Sequence, residues 1–159
     1  MKRSSQRHSI ENVFVLAMTI VAVLALGANQ YKSLVERDNN AYNKRIITSY
    51  VSAQIRGYDR ADAVKVGGFA SPDVDDEVNT LHLLETIDGI RYDLKIYYYQ
   101  GKVYELFAAE ESEMKPEDGV AIMDAKDLHF EKKGSLIRIT SKDSEGRENE
   151  TTVSLRSEE

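Results

Sequence analysis

The chain has no cysteine, which excludes a disulfide framework, a thiolate zinc site and a cysteine nucleophile. Proline is scarce as well: the 159 residues hold two, Pro72 and Pro116, so no proline breaks a helix before Ser71. A concentrated cationic face is also missing, because the formal net charge is −6, and phosphate recognition loses its main support. The three histidines, His8, His82 and His129, are scattered without the i, i+4 or clustered spacing of a metal or catalytic site, so ordinary surface histidines are expected. What is present is 42% hydrophobic and 30% charged sequence, enough for one globular domain with an appendage and too apolar for a disordered chain.

Hydrophobicity is concentrated near the start. Val13–Ala28 contains no charge, and Thr19 is its one conspicuous polar side chain. As a helix, Ile10–Ala28 spans roughly 28 Å, about the thickness of a bilayer's hydrocarbon core. Lys2, Arg3 and Arg7 precede it, whereas all acidic residues except Glu11 follow it. The positive-inside rule then predicts a cytoplasmic N-terminus and an extracytoplasmic remainder, a single-pass protein in the cell membrane. A cleaved secretory signal, with Ala25 and Gly27 as small residues before the cut, is the competing expectation and puts the same remainder outside.

Between Gly27 and Gly57 there is neither glycine nor proline, and Tyr31, Leu34, Val35, Tyr42, Ile46, Ser49 and Ala53 share one helical stripe. The expected fold is therefore α+β: a long N-terminal transmembrane-plus-stalk helix packed on an antiparallel β-sheet. Its parts are a basic cytoplasmic tail (1–9), a transmembrane helix (10–28), an extracytoplasmic continuation (29–57) and an antiparallel β-domain (58–159). Glu11, Val13, Phe14, Leu16, Ile20, Val23 and Leu24 are the candidate membrane and assembly residues of that helix. The lipid bilayer is its first partner.

After Ala63 the period changes to alternation. Strands are predicted at 63–66, 78–87, 90–99, 102–108, 128–132, 135–141 and 148–156. Asp88-Gly89 and Gln100-Gly101 are two-residue hairpin turns, which set a register with Ile87 opposite Ile90, Leu83 opposite Leu94 and Tyr98 opposite Val103 on a core face. The other face collects His82, Asp93 and Lys95 with Tyr97, Tyr99, Tyr104 and Leu106. Those last four make a candidate partner surface, the competing expectation being cross-strand packing or cover by a loop.

Chemistry-bearing motifs are weak. Ser112-Glu113-Met114-Lys115 matches S-x-x-K but lacks the companion motifs of serine acyl enzymes. Asp73–Glu77 gathers oxygen ligands for calcium without the glycine and distal glutamate of an EF-hand loop, so a solvated loop is the stronger expectation. Asn149-Glu150-Thr151 fits a glycosylation sequon. No nucleophile, base and orienting acid assemble from motifs, so no enzyme, cofactor or small-molecule substrate is expected.

Ile10-Glu11-Asn12 entering a hydrophobic helix, a polar continuation through Asn40–Arg56 and then a meander resemble the architecture of type IV pilins and minor pseudopilins. The stretch from Arg45 to Asp59 is similar to the helix end of minor pseudopilins. Together with Asp88-Gly89, Tyr92, Gly101 and Glu105-Leu106-Phe107, the chain also resembles an uncharacterised family of Gram-positive membrane proteins associated with pilus-like gene clusters. The resemblance implies a non-enzymatic minor pilin-like or pseudopilin-like subunit, whose helix meets other pilin-like or secretion-machinery subunits. Gln6 stands where a prepilin peptidase site has glycine. A secreted or anchored binding module with no filament role is the alternative.

Overall fold

The computed structural model describes residues 46–74 and 76–158. Helix α1 occupies residues 46–57. Ile47, Val51 and Ile55 recur every four residues and are buried, while Ser49, Ala53 and Arg56 on the far side are exposed. Burying three such side chains contributes about 1.5–3 kcal/mol each.

Seven strands follow in the order of the chain, each antiparallel to the next: β1 (Val64–Gly67), β2 (Thr80–Ile87), β3 (Ile90–Tyr99), β4 (Lys102–Ala109), β5 (Val120–Lys133), β6 (Leu136–Asp143) and β7 (Glu148–Ser154). Asp88 and Gly89 both have positive φ, 52° and 82°, the backbone a tight two-residue turn requires, and the register they impose pairs Ile87 with Ile90 and Leu83 with Leu94. Tyr98 faces Val103 and Tyr97 faces Tyr104, as the turn at Gln100-Gly101 predicts.

β5 folds the sheet over. Its first part pairs with β4 and its second with β6, and the register shifts between Ala125 and Asp127. An extra residue at such a point bends the strand. The second part of β5 consequently comes back toward β1 and β2. Asn79, just ahead of β2, donates its amide N–H to Phe130 O (3.2 Å) and accepts the Phe130 N–H (2.7 Å), while Lys132 Nζ donates to Val64 O (2.8 Å). Leu81, Leu83, Ile96, Val103, Phe130 and Ile137 fill the enclosed core together with the apolar side of α1. Asn149 Nδ2 bonds Thr48 Oγ1 (2.7 Å), tying the start of α1 to β7. The Asp59 carboxylate accepts the N–H groups of Arg156 and Ser157, tying the residues beyond the end of α1 to those beyond β7.

This corrects the expected fold class. Most of the described chain is sheet, the helix within it covers residues 46–57, and among the described residues no helix is long and apolar enough to cross a membrane. The sheet, rather than a long helix, organises the domain: α1 buries one narrow stripe against it, and Thr48, Ser49, Ser52 and Arg56 make the helix too polar for lipid. The membrane, single-pass and pilin-like or pseudopilin-like character inferred from a transmembrane helix thereby loses its structural basis. The segment 1–45, with Glu11, Val13, Phe14, Leu16, Ile20, Val23 and Leu24, lies outside the described residues.

Candidate functional site

The face of β2 and β3 turned away from the core carries three charged side chains that are buried, not solvated. His82 is fully buried, and Asp93 and Lys95 are nearly so, because the segment 68–79 folds over them. His82 is therefore not the surface histidine expected from sequence: alternation assigns it to the outer face but carries no sign of the loop that covers it. Its Nδ1 lies 2.7 Å from Asp93 Oδ2 and its Nε2 lies 2.8 Å from Gly68 O. Both partners are acceptors, so the imidazolium form donates to both, whereas the neutral ring donates to one of them only. Lys95 Nζ donates to Phe69 O (2.9 Å) and sits 4.7 Å from the centre of the Phe69 ring.

The loop is closed on itself as tightly as on the sheet. Gly68 N–H bonds Val74 O (2.6 Å), and Asp76 accepts the N–H groups of Ala70 and Val78. Partial burial opposes ionisation of Asp76, but those N–H groups, that of Phe69 and the charge of His82 outweigh it and hold the carboxyl below its usual range. Asp76 is thus occupied as a backbone clamp within the stretch Asp73–Glu77. Among the described residues no group of histidine and carboxylate side chains is arranged to hold a metal ion.

Phe69 closes the second apolar cluster. Its ring meets Tyr97 edge-on at 5.0 Å, Tyr97 stacks on Tyr104 at 5.8 Å, and Tyr104 meets Tyr99 at 6.0 Å. The Tyr97 hydroxyl donates to Pro116 O (2.7 Å), and burial, followed by the nearby Tyr104 and Asp118, pushes its pKa up to about 12. Of the four residues expected to form a partner surface, Tyr97 and Leu106 are buried and Tyr99 and Tyr104 are half-buried. They are brought together as expected, but as a small core beneath loops 68–79 and 110–119. His129 is half-exposed, 3.9 Å from Glu131, and does not join His82; His8 lies outside the described residues.

An exposed apolar surface lies elsewhere, on the α1-facing side of the sheet. Ile87 and Ile90 are 43% and 51% exposed and paired across the hairpin; Phe107 is 49% exposed and stacks on Tyr92 at 5.1 Å. Alternation assigns Ile87 and Ile90 to the core face, and they are on it. However, the helix ends at residue 57, and Tyr58 just beyond it meets Glu85, two residues before Ile87. The helix stops short. Tyr50 OH on Glu105 (2.6 Å) and Tyr58 OH on Glu85 (3.3 Å) mark the edge of what it covers.

These features define a class: a seven-stranded antiparallel meander, folded on itself around a short helix, with an apolar patch left open at the end of β2 to β4. The chain belongs to the family described as a domain of unknown function, DUF4860, whose model matches residues 42–144. The match ends just after β6, and nothing in it shows a relation to pilins. Comparisons with curated proteins and with solved structures found no match.

Proposed function

We propose that the chain is a non-enzymatic, extracytoplasmic binding module that takes up a protein partner on the apolar end of β2, β3 and β4. The observation that carries this reading is the exposure of Ile87, Ile90 and Phe107 on one face of the sheet, with Tyr92, between Ile90 and Leu94 on that face, stacked on Phe107. Singly exposed apolar residues are ordinary, but an aromatic and aliphatic cluster on a rigid sheet is the usual anchor of an interface. The uncharged run Val13–Ala28, with basic residues before it and an acidic remainder after it, supports export of the domain. The non-enzymatic part is supported by His82, the one buried histidine of the described residues: both of its ring nitrogens are occupied, and neither faces a nucleophile.

The test is a photo-crosslinking amino acid at Ile90 in the native cell. A discrete protein adduct that disappears on adding Phe107→Asp, with the far-ultraviolet circular dichroism unchanged, is the expected result. Adducts that persist in the Phe107→Asp chain, or no protein adduct from Ile90, would refute the proposal.

A further inference from the structure

The meander has two edges, and they are not equally protected. Because Ala63 O accepts the Leu84 N–H (2.7 Å), the backbone groups of Val64 point away from β2, and Lys132 Nζ occupies the Val64 carbonyl. β1 is also only four residues long. A short edge capped by lysine is a protected edge. β7 differs. Asp143 N–H bonds Arg147 O (3.1 Å) and Leu155 N–H bonds Ser135 O (2.7 Å), which fixes the odd-numbered residues of β7 as those bonded to β6. Glu148, Glu150, Thr152 and Ser154 therefore turn their N–H and C=O groups outward, and among the described residues no hydrogen bond reaches them. This edge is about 23 Å long.

Grooves of about 520 and 430 Å³ run between it and α1. Arg56 lines both, with Ser154 and Arg156 at one end and Ser49 and Glu150 at the other. The edge thus begins acidic, at Glu148 and Glu150, and ends beside Arg56 and Arg156, with the Asp59 carboxylate in the same groove. Glu148 and Glu150 do pair with Lys142 (2.9 Å) and Arg138 (3.5 Å), but these contacts are exposed and contribute little.

We propose that two copies of the chain pair β7 to β7, antiparallel about a twofold axis at Thr151, and join their sheets into one. In this register Glu150 faces the second copy's Thr152 and Glu148 faces its Ser154, so every outward backbone group of β7 finds a partner. Glu148 lies diagonal to the second copy's Arg156, while the two Glu150 side chains lie diagonal to one another across the axis, each facing its own Arg138 (3.5 Å). A parallel in-register pairing sets both Glu148 and Glu150 beside their copies. Charges on an edge normally oppose pairing; here Glu148 and Arg156 favour the antiparallel arrangement over the parallel one.

The chain's lack of cysteine makes the test direct. In the 159-residue chain, Thr151→Cys places two thiols across a non-hydrogen-bonded pair, about 4.5 Å between Cα atoms and within disulfide reach. Mild oxidation is expected to give a covalent dimer from Thr151→Cys and none from Ser154→Cys alone, while Ser154→Cys mixed with Glu148→Cys cross-links. Adding Glu148→Arg should lower the Thr151→Cys yield about tenfold, equivalent to about 1.4 kcal/mol. Further adding Arg156→Glu should restore it. Equal cross-linking from Ser154→Cys alone, a yield indifferent to charge reversal, or a Thr151→Cys chain that stays monomeric would each overturn the proposal.

Discussion

Replacing His82 with leucine isolates the polar role of the buried cluster, because leucine fills similar space without its two bonds. The substitution leaves the Asp93 carboxylate, 5% exposed, with Lys95 Nζ at 4.0 Å as its remaining charged neighbour; Asp93 Oδ1 already has no hydrogen-bond partner. Removing one member of a buried pair costs about 3–5 kcal/mol, since the other charge stays in a low-dielectric site. Gly68 O also loses a donor, at about 1 kcal/mol if the loop turns toward water. A loss near 4 kcal/mol is a large share of a domain's usual stability of about 5–15 kcal/mol.

Urea unfolding of the full chain, followed by tyrosine near-ultraviolet circular dichroism because there is no tryptophan, measures it. At a slope of about 2 kcal/mol per molar urea, the midpoint should fall by about 2 M. The companion Asp93→Leu should cost as much alone. The double substitution should cost no more than either single one, because no unpaired partner of that pair remains, although Lys95 keeps only Phe69 O and its ring. A single-variant loss below about 1 kcal/mol, or additive losses in the double variant, would refute the assignment of the cluster as one coupled unit.

Asn79→Ala removes both bonds to the Phe130 backbone and leaves that N–H and C=O partly buried, so urea unfolding should show a loss of about 2–3 kcal/mol. The depressed Asp76 carboxyl contributes stability above the ordinary aspartate range, and that contribution disappears as pH falls through the lower folded-state value; Asp76→Asn should flatten this part of the acid-unfolding curve. At the alkaline end, burial of both rings and, for Tyr50, its bond to Glu105 push the pKa values of Tyr50 and Tyr97 up to about 12. An absorbance titration should therefore show Tyr50 and Tyr97 ionising late, with Tyr58, raised by burial and by Glu85, delayed as well. The matching stability is complete below about pH 10, where an unfolded tyrosine begins to ionise, and is lost toward pH 12.

Turn chemistry makes much of the sheet legible. Two-residue turns at Asp88-Gly89 and Gln100-Gly101 leave no freedom in register, so the pairs from Leu81 to Val103 follow from sequence alone. The first part of β5 is hidden from such a reading because Asp124, Lys126 and Asp127 break the alternation where the register shifts. A bulge is a long-range adaptation to neighbouring strands, and nothing local announces it. The buried state of His82, Asp93 and Lys95 is illegible for a related reason: alternation assigns a face, but the loop that covers a face belongs to tertiary structure. The three charges do carry one sign of it, since they occupy adjacent register positions and can neutralise one another.

The bend in β5 connects the two surfaces proposed for binding. Had β5 continued straight, the sheet would be a flat seven-stranded layer, and α1 would cover a small part of one face. By turning at Ala125 to Asp127, β5 brings β6 and β7 over the core and leaves α1 tied to β7 through Asn149 and Thr48. That position has two consequences. The helix is drawn toward β7, so the far end of β2 to β4 stays open at Ile87, Ile90 and Phe107. The edge of β7 is left beside α1 rather than beneath it, with Arg56 at its flank. The proposed partner site and the proposed self-pairing edge therefore lie at opposite ends of the same displacement of the helix. A change that straightens β5, such as deleting Lys126 at the register shift, should disturb both: residue 90 should lose its cross-linked partner and residue 151 its disulfide. Loss of one with full retention of the other would show that the two surfaces are set independently of the bend.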